Sequence, residues 1–353
     1  MAVILFMSGL LLVWQNQREA QTLYTKDLYT KDLYAMDTLF SLRVYGAQGE
    51  EALKQCETRV RELEGLLSVT RQDSDVRRLN ASDGQNIEGI PVSKDTYSLL
   101  SSAISLGAET EGALDITLYP VLREWGFTTG EYRIPEAERI QTLMQKVDYQ
   151  SVLLKSSMSE GGEGAVYVPE GVEIDLGAVA KGYTGDCLLD ILRDMGVTSA
   201  MLDLGGNVQT LGAKPDGSPW RIAVRNPFDR AKELGVLEIT DKAVITSGSY
   251  ERYFTGEDGR DYWHILDPAD GHPADHGLVS VTVVGDSGVR CDGLSTALFV
   301  MGKDKAVDFY RRQQDFEMLL VTKEGGLQIT EGLMDCFECG EDWDVEIIYR
   351  DER

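Results

Sequence analysis

The sequence predicts an α+β fold of largely antiparallel sheets with helices laid against them. Two observations carry this. From Ser199 to Val284, short runs rich in β-branched and aromatic residues follow one another across tight turns, which suits an antiparallel sheet rather than a doubly wound parallel one. Elsewhere, apolar residues recur at helical spacing over 50–67, 96–108, 136–147, 179–195 and 292–302, with a further helix near 304–313.

Composition narrows the class. With 353 residues, 42% of them hydrophobic, the chain can bury a large core. A formal charge of −25 and the lack of any Lys/Arg-rich run exclude nucleic acid as a partner, because phosphate backbones demand a basic footprint. Any anion site must be local. The five cysteines are too few and too scattered for a disulfide scaffold, and Cys336 and Cys339, although spaced C-x-x-C, lack a second pair to complete a zinc site.

At the amino end, Ala2–Trp14 is an apolar block of thirteen residues, roughly 20 Å as a helix and short of a bilayer core of about 30 Å. Residues 1–20 are therefore expected to be a signal h-region or a clipped membrane anchor, although no basic n-region precedes the block and no lipid-accepting cysteine follows it. Residues 21–34 repeat LYTKD and read as a polar linker, an edge strand being the alternative. The folded domain is placed at 35–335 and a tail at 336–353. Within the domain, 36–45 alternates as a first strand, and a glycine-rich turn at 160–164 joins Val152–Leu154 to Val166–Val168 as a hairpin.

The stretch 173–212 organises the rest. Asp175-Leu176-Gly177-Ala178-Val179-Ala180-Lys181-Gly182 opens a helix in which Val179, Tyr183, Leu188, Ile191, Leu192 and Met195 share one face and Asp186, Asp190 and Asp194 the other. Gly196 stops that helix. Lys181 falls in the first turns, where free N–H groups favour a phosphate; the alternative is a solvated lysine with Asp175 as a plain cap. Asp292, Ser295 and Thr296, at i, i+3 and i+4, place three oxygens on one helical face and suit Mg²⁺ that shares ligands with a phosphate-rich substrate, unless Asp292 is only an N-cap. Among three histidines, His264 at a strand end is placed to act as a general base, whereas His272 and His276 fall in a turn. Asp115, alone in a turn, reads as a backbone cap. The chain has no G-x-x-x-x-G-K-[ST], no G-x-G-x-x-G and no G-x-S-x-G.

Taken in order, Met36-Asp37-Thr38, Gly112-Ala113-Leu114-Asp115-Ile116-Thr117, Asp175–Gly182, Leu204-Gly205-Gly206-Asn207, Thr246-Ser247-Gly248, His264-Ile265-Leu266-Asp267-Pro268 and Asp292-Gly293-Leu294-Ser295-Thr296 resemble the ApbE family, the FAD:protein FMN transferases, over about residues 35–330. The resemblance implies two closely joined subdomains with FAD bound between them. It implies that Met36, Ala113, Leu114, Asp115, Asp175, Lys181 and Leu266 bind FAD. Mg²⁺ would be held by the Ala178 carbonyl, Asp292 and Thr296, with Ser295 at a further ligand position. His264 would take the proton of the acceptor hydroxyl.

The implied reaction moves FMN from FAD to a Thr/Ser hydroxyl of a second protein and releases AMP. The acceptor would be a membrane-bound flavoprotein subunit or an exported FMN-binding domain carrying a Thr/Ser-Gly-Ala-Thr pattern, which this chain lacks. An extracytoplasmic position in a bacterial cell envelope, anchored or exported, fits such partners. The alternatives are a Mg²⁺-dependent FAD pyrophosphatase giving FMN and AMP, and a non-catalytic flavin-binding protein. Two residues depart from the family pattern: Thr70 stands where an aromatic often stacks on flavin, and Ser295 replaces an acid found in some relatives.

Overall fold

In the computed structural model, residues 27–155 and 164–351 are described. The apolar block Ala2–Trp14, the first LYTKD copy up to Lys26 and most of the turn expected at 160–164 lie outside them. The chain begins with β1 (Leu28–Ala35) and β2 (Thr38–Tyr45), then α1 (Gly49–Leu67), α2 (Asp75–Asn80), β3 (Ile90–Pro91) and α3 (Lys94–Glu109). Next come α4 (Tyr119–Trp125), α5 (Ala137–Met144), β4 (Leu153–Lys155), β5 (Ala165–Tyr167), α6 (Ala180–Asp194), β6 (Ser199–Leu204) and β7 (Asn207–Leu211). The strand series continues through β8 (Trp220–Arg225), β9 (Glu233–Ile239), β10 (Ala243–Gly248), β11 (Tyr253–Thr255), β12 (Asp261–Trp263) and β13 (Leu278–Gly285). Helices α7 (Gly288–Met301) and α8 (Lys303–Arg312) follow, then β14 (Phe316–Thr322), β15 (Leu327–Thr330), β16 (Phe337–Cys339) and β17 (Val345–Ile348).

Nine strands form the central sheet in the order β1-β2-β6-β7-β10-β13-β14-β15-β17, antiparallel throughout except for the β15–β17 pair. The period of two along each strand sorts side chains to the two faces. Ala243 and Ile245, Val281 and Val283, and Met318 and Leu320 share one core with α3, α7 and α8; Val244, Val284, Leu319 and Val321 turn the other way, onto β8 and β9. At the β1 end, Phe40, Leu42 and Val44 pack under α1 and α6. The fold is thus helices on one face of a sheet and a small antiparallel sheet, β16-β9-β8, on the other. This is the α+β, mainly antiparallel class expected from the sequence.

Helix α1 buries Ala52, Leu53, Cys56, Val60, Leu63 and Leu67, the face its periodicity marks. α6 ends as expected, with Gly196 at φ +75° just beyond it. Three boundaries need correction. Residues 28–34 are no linker: they belong to β1, paired residue by residue with β2. Tyr29, Lys31, Leu33 and Ala35 face inward, and Lys31 is neutralised there by Glu57 at 2.7 Å, so a strand with one solvated face at a sheet edge reads as polar. Nor is 336–353 a loose tail, since Phe337–Cys339 pairs with β9 and Val345–Ile348 closes the central sheet. Helix α7 also starts before the expected Asp292, at Gly288, because Ser287 caps it by accepting from the Arg290 N–H.

Because Leu33 is buried and Tyr34 is 64% exposed, Leu33→Asp is expected to cost about 3 kcal/mol or more and Tyr34→Asp less than about 0.5. Denaturant unfolding measures both; equal small effects would contradict the strand.

Candidate functional site

The chemistry-bearing residues converge where α6 and α7 meet. Lys181 and Gly182 lie in the first turn of α6, and Asp292 sits inside α7 rather than at its cap. The two helices touch at Gly182: a Cβ there would lie 2.2 Å from the Gly288 carbonyl oxygen and 2.8 Å from Asp292 Cβ. Only glycine permits this approach. It lets the Gly182 N–H donate to Asp292 Oδ2 at 2.7 Å, while Gln209 Nε2 on β7 donates to the Gly182 carbonyl at 2.9 Å.

A second lock holds the same junction. Asp186, one α6 turn further on, accepts from the N–H groups of Gly288 (2.7 Å) and Val289 (3.0 Å) and from the Ser287 hydroxyl (3.4 Å). An acid at the N-terminus of α7 meets unpaired N–H groups and the positive end of the helix dipole. Asp186 is therefore not on a solvated face as its spacing suggests. Burial raises its pKa, and the Val289 and Gly288 N–H groups oppose that.

Asp292 is 6% exposed, and burial pushes its carboxyl up to about 6 against the charge of Lys181, the Gly182 N–H and the adjoining Asn207 amide. The buried Nδ2 of Asn207 has no hydrogen-bond partner of good geometry. Ser295 is fully buried, donates to the Asp292 carbonyl at 2.8 Å and lies 2.8 Å from Ser247 Oγ. Thr296, half-buried, lies 3.3 Å from the same Ser247 hydroxyl.

No group of three or more His, Cys, Asp or Glu side chains suited to a metal occurs among the described residues. What the junction offers is one desolvated carboxylate and the Thr296 hydroxyl one turn along α7, with Ala178 half-buried two residues ahead of α6. That set of hard oxygens fits a Mg²⁺ ion whose other ligands come from water and substrate phosphate, and does not fit a closed structural site. The Ser295 hydroxyl is already engaged, so it serves the site mainly as a brace.

His264 follows β12 and faces Arg252 across the β11–β12 hairpin. The Arg252 carbonyl accepts from the His264 backbone N–H at 3.1 Å and contacts Nδ1 at 3.2 Å. A carbonyl can only accept, so Nδ1 carries the proton and Nε2 keeps its lone pair. Burial first, then the charges of Arg252 and Lys181, lowers the imidazole to about 4. The charge of Lys181 therefore acts on Asp292 and on His264 alike.

Around this centre, the Asp175 N–H donates to Ile116 O at 2.8 Å, bringing the 112–117 loop beside the start of α6. Asp175 Oδ1 accepts from the Gly177 N–H at 2.6 Å, so Asp175 shapes the approach to α6, whose N-cap is Val179. Its pKa is raised by burial and opposed by that N–H and by Arg252. Asp115 is consumed internally by the Thr117 N–H (2.7 Å), the Thr117 hydroxyl (2.5 Å) and the Tyr149 N–H (3.0 Å), the backbone-capping role its turn suggests. Leu114 and Leu266 are core side chains, leaving their backbones and half-buried Ala113 to line a site.

Met36 and Asp37 form the β1–β2 turn with φ +47° and +60°, the paired positive values of a type I′ turn. The Met36 N–H donates to Glu64 Oε1 at 2.7 Å, the Thr184 hydroxyl lies 3.7 Å from Met36 Sδ, and Asp37 Oδ2 is 3.4 Å from Arg252 Nη2. His276 pairs with Asp267 at 2.8 Å and His272 sits edge-on to Trp125, both outside the cluster. Thr70 is exposed beside Ser68 and brings no ring.

Comparison with known proteins decides the family. The ApbE family model matches residues 36–320. The chain belongs to the ApbE family. A Klebsiella pneumoniae FAD:protein FMN transferase is 34% identical over 266 residues, covering 75% of this chain and 80% of the relative. One from Treponema pallidum is 30% identical over 312 residues, covering 84% and 85%. Among solved structures, the ApbE protein of Thermotoga maritima superposes with a TM-score of 0.78 at 32% identity, covering 86% of this chain and 97% of that one. The apo flavinyl transferase ApbE of Pseudomonas stutzeri gives 0.76 at 32%, covering 89% and 98%.

Sequence reasoning missed Asp186, Gln209 and Arg252. Asp186 carried a misleading signal, the solvent-face spacing, and the other two carried none. Asp186→Ala is expected to cost about 2 kcal/mol in denaturant unfolding, and a cost below about 0.5 would remove it as a cap. His264 titrates near 6.5 unfolded and about 4 folded, so the unfolded state binds more protons between these values. The contribution of His264 to stability should therefore fall as pH drops from 6.5 toward 4, against the opposite contribution of Asp292 with its carboxyl raised to about 6, so the stability difference between the unmodified chain and His264→Gln should fall with pH through that window; a difference independent of pH would contradict the lowered value.

Proposed function

We propose that this ApbE-family chain transfers FMN from FAD to a serine or threonine hydroxyl of an acceptor protein. The observation that carries the reading is the α6–α7 junction, where the Gly182 N–H, next to Lys181 in the first turn of α6, holds the buried Asp292 carboxylate at 2.7 Å. FAD would lie with its pyrophosphate at the α6 N-terminus, where Lys181 neutralises a phosphate oxygen. Met36, Asp175 and the backbone around Ala113, Leu114, Asp115 and Leu266 would border the cofactor. His264, neutral at pH 7 with Nε2 free, accepts the proton of the acceptor hydroxyl. The hydroxyl oxygen then forms a bond to the FMN phosphorus while the bond to the AMP oxygen breaks, leaving a phosphoester and AMP.

Mg²⁺ held by Asp292, Thr296 and the Ala178 carbonyl, with Ser295 behind them, would supply charge neutralisation worth several kcal/mol at the pyrophosphate. The acceptor is a second protein, such as a flavoprotein subunit or FMN-binding domain with a Thr/Ser-Gly-Ala-Thr segment. The apolar block Ala2–Trp14 supports a place at the outer side of a bacterial membrane. No helix among the described residues is long and apolar enough to cross a bilayer.

Incubation with FAD, Mg²⁺ and an acceptor domain, read by intact mass, tests this. Added FMN mass on the acceptor is expected; free FMN and AMP alone would point to a pyrophosphatase, and unchanged FAD to a flavin-binding protein. Asp292→Ala should abolish turnover with some FAD still bound, and full activity would remove the metal assignment. His264→Ala should lower transfer by about 10²- to 10⁴-fold with FAD bound, and normal flavinylation would rule it out as the base.

A further inference from the structure

We propose that Arg252 is a substrate-binding residue of this site, its guanidinium holding the phosphoryl group of FAD that is attacked, as a second cation beside His264. This rests on the FAD reading above and adds a residue to it.

The placement follows from the hairpin. Tyr253 pairs with Trp263, so Arg252 and His264 stand opposite each other one step beyond the ladder, and directly opposed residues project to the same face. The bond from the His264 N–H to the Arg252 carbonyl at 3.1 Å closes that pair. The Arg252 guanidinium reaches the Met36–Asp37 turn, with Nη2 3.4 Å from Asp37 Oδ2, and its charge acts on Asp175 and on His264. It therefore stands where the β1–β2 turn, the start of α6 and the base meet.

The guanidinium is also available. Its described ion pair with Asp37 is long and solvent-exposed, with side chains 52% and 78% accessible, and such pairs contribute little. Other arginines differ: Arg123 is forked on Glu173 at 2.7 and 2.8 Å, and Arg290 on Glu109 at 2.7 Å through both terminal nitrogens. An arginine with unspent donors, half-exposed beside the base in a chain of net charge −25, matches the geometry and charge of a phosphoryl group.

Affinities for FAD and for riboflavin, which has no phosphate, separate a phosphate contact from a structural role. Flavin fluorescence titrations without Mg²⁺ or acceptor would compare the full chain with Arg252→Ala, Arg252→Gln and Arg252→Lys. The FAD Kd should rise roughly 10- to 100-fold in the first two variants and recover in part with lysine, while riboflavin binding stays unchanged. Unchanged FAD affinity in Arg252→Gln, or an equal loss for both flavins, would overturn the proposal. Failure of the unmodified chain to bind FAD would instead overturn the functional reading, and this proposal with it.

Discussion

Gly182 lets α6 and α7 come together closely enough for a backbone N–H of one to hold the carboxylate of the other, and the site depends on that contact. A methyl group there would strike the Gly288 carbonyl, so any side chain at 182 would push Asp292 away from Lys181. The contact is braced from two directions: Gln209 fixes the Gly182 carbonyl from the sheet, and Asp186 ties the first N–H groups of α7 to α6. Each brace belongs to a different element, so the separation of Lys181 and Asp292 is set by the packing of β7, α6 and α7 together.

Electrostatics make the cost of this arrangement visible. Asp292 is desolvated without a full complement of donors, its carboxyl raised to about 6, and His264 is held neutral by burial and two nearby cations. Both departures favour function over stability: an under-satisfied carboxylate invites a cation, and a neutral imidazole with a fixed tautomer can accept a proton at pH 7. The left-handed Met36 adds local backbone strain in the β1–β2 turn, held by Glu64 and Thr184.

Much of this was legible in the sequence, for physical reasons that also mark its limit. The buried face of α1, the glycine stop after α6 and the period-two strands follow from local patterns of apolar residues, which tertiary packing reinforces here. The ordered motifs pointed to the α6–α7 junction, where the Gly182 N–H beside Lys181 meets the Asp292 carboxylate. Strand β1 was legible only as the alternative to a linker, because half of its residues face water and the inward Lys31 is paired with α1. Asp186 was hidden because a carboxylate capping another helix has the same spacing as one facing solvent. Ser247 and Gln209 act through contacts across 48 and 27 residues, which no local window contains.

The central claim is that the α6–α7 junction holds both a cation and the pyrophosphate of FAD. Diffraction from crystals grown with FAD and Mn²⁺ in place of Mg²⁺, read at the manganese edge, tests it most directly. The account predicts one anomalous peak within coordination distance of the Asp292 carboxylate and the Thr296 hydroxyl, with the pyrophosphate beside Lys181. Manganese bound elsewhere, or flavin seated with its phosphates away from Lys181, would contradict it.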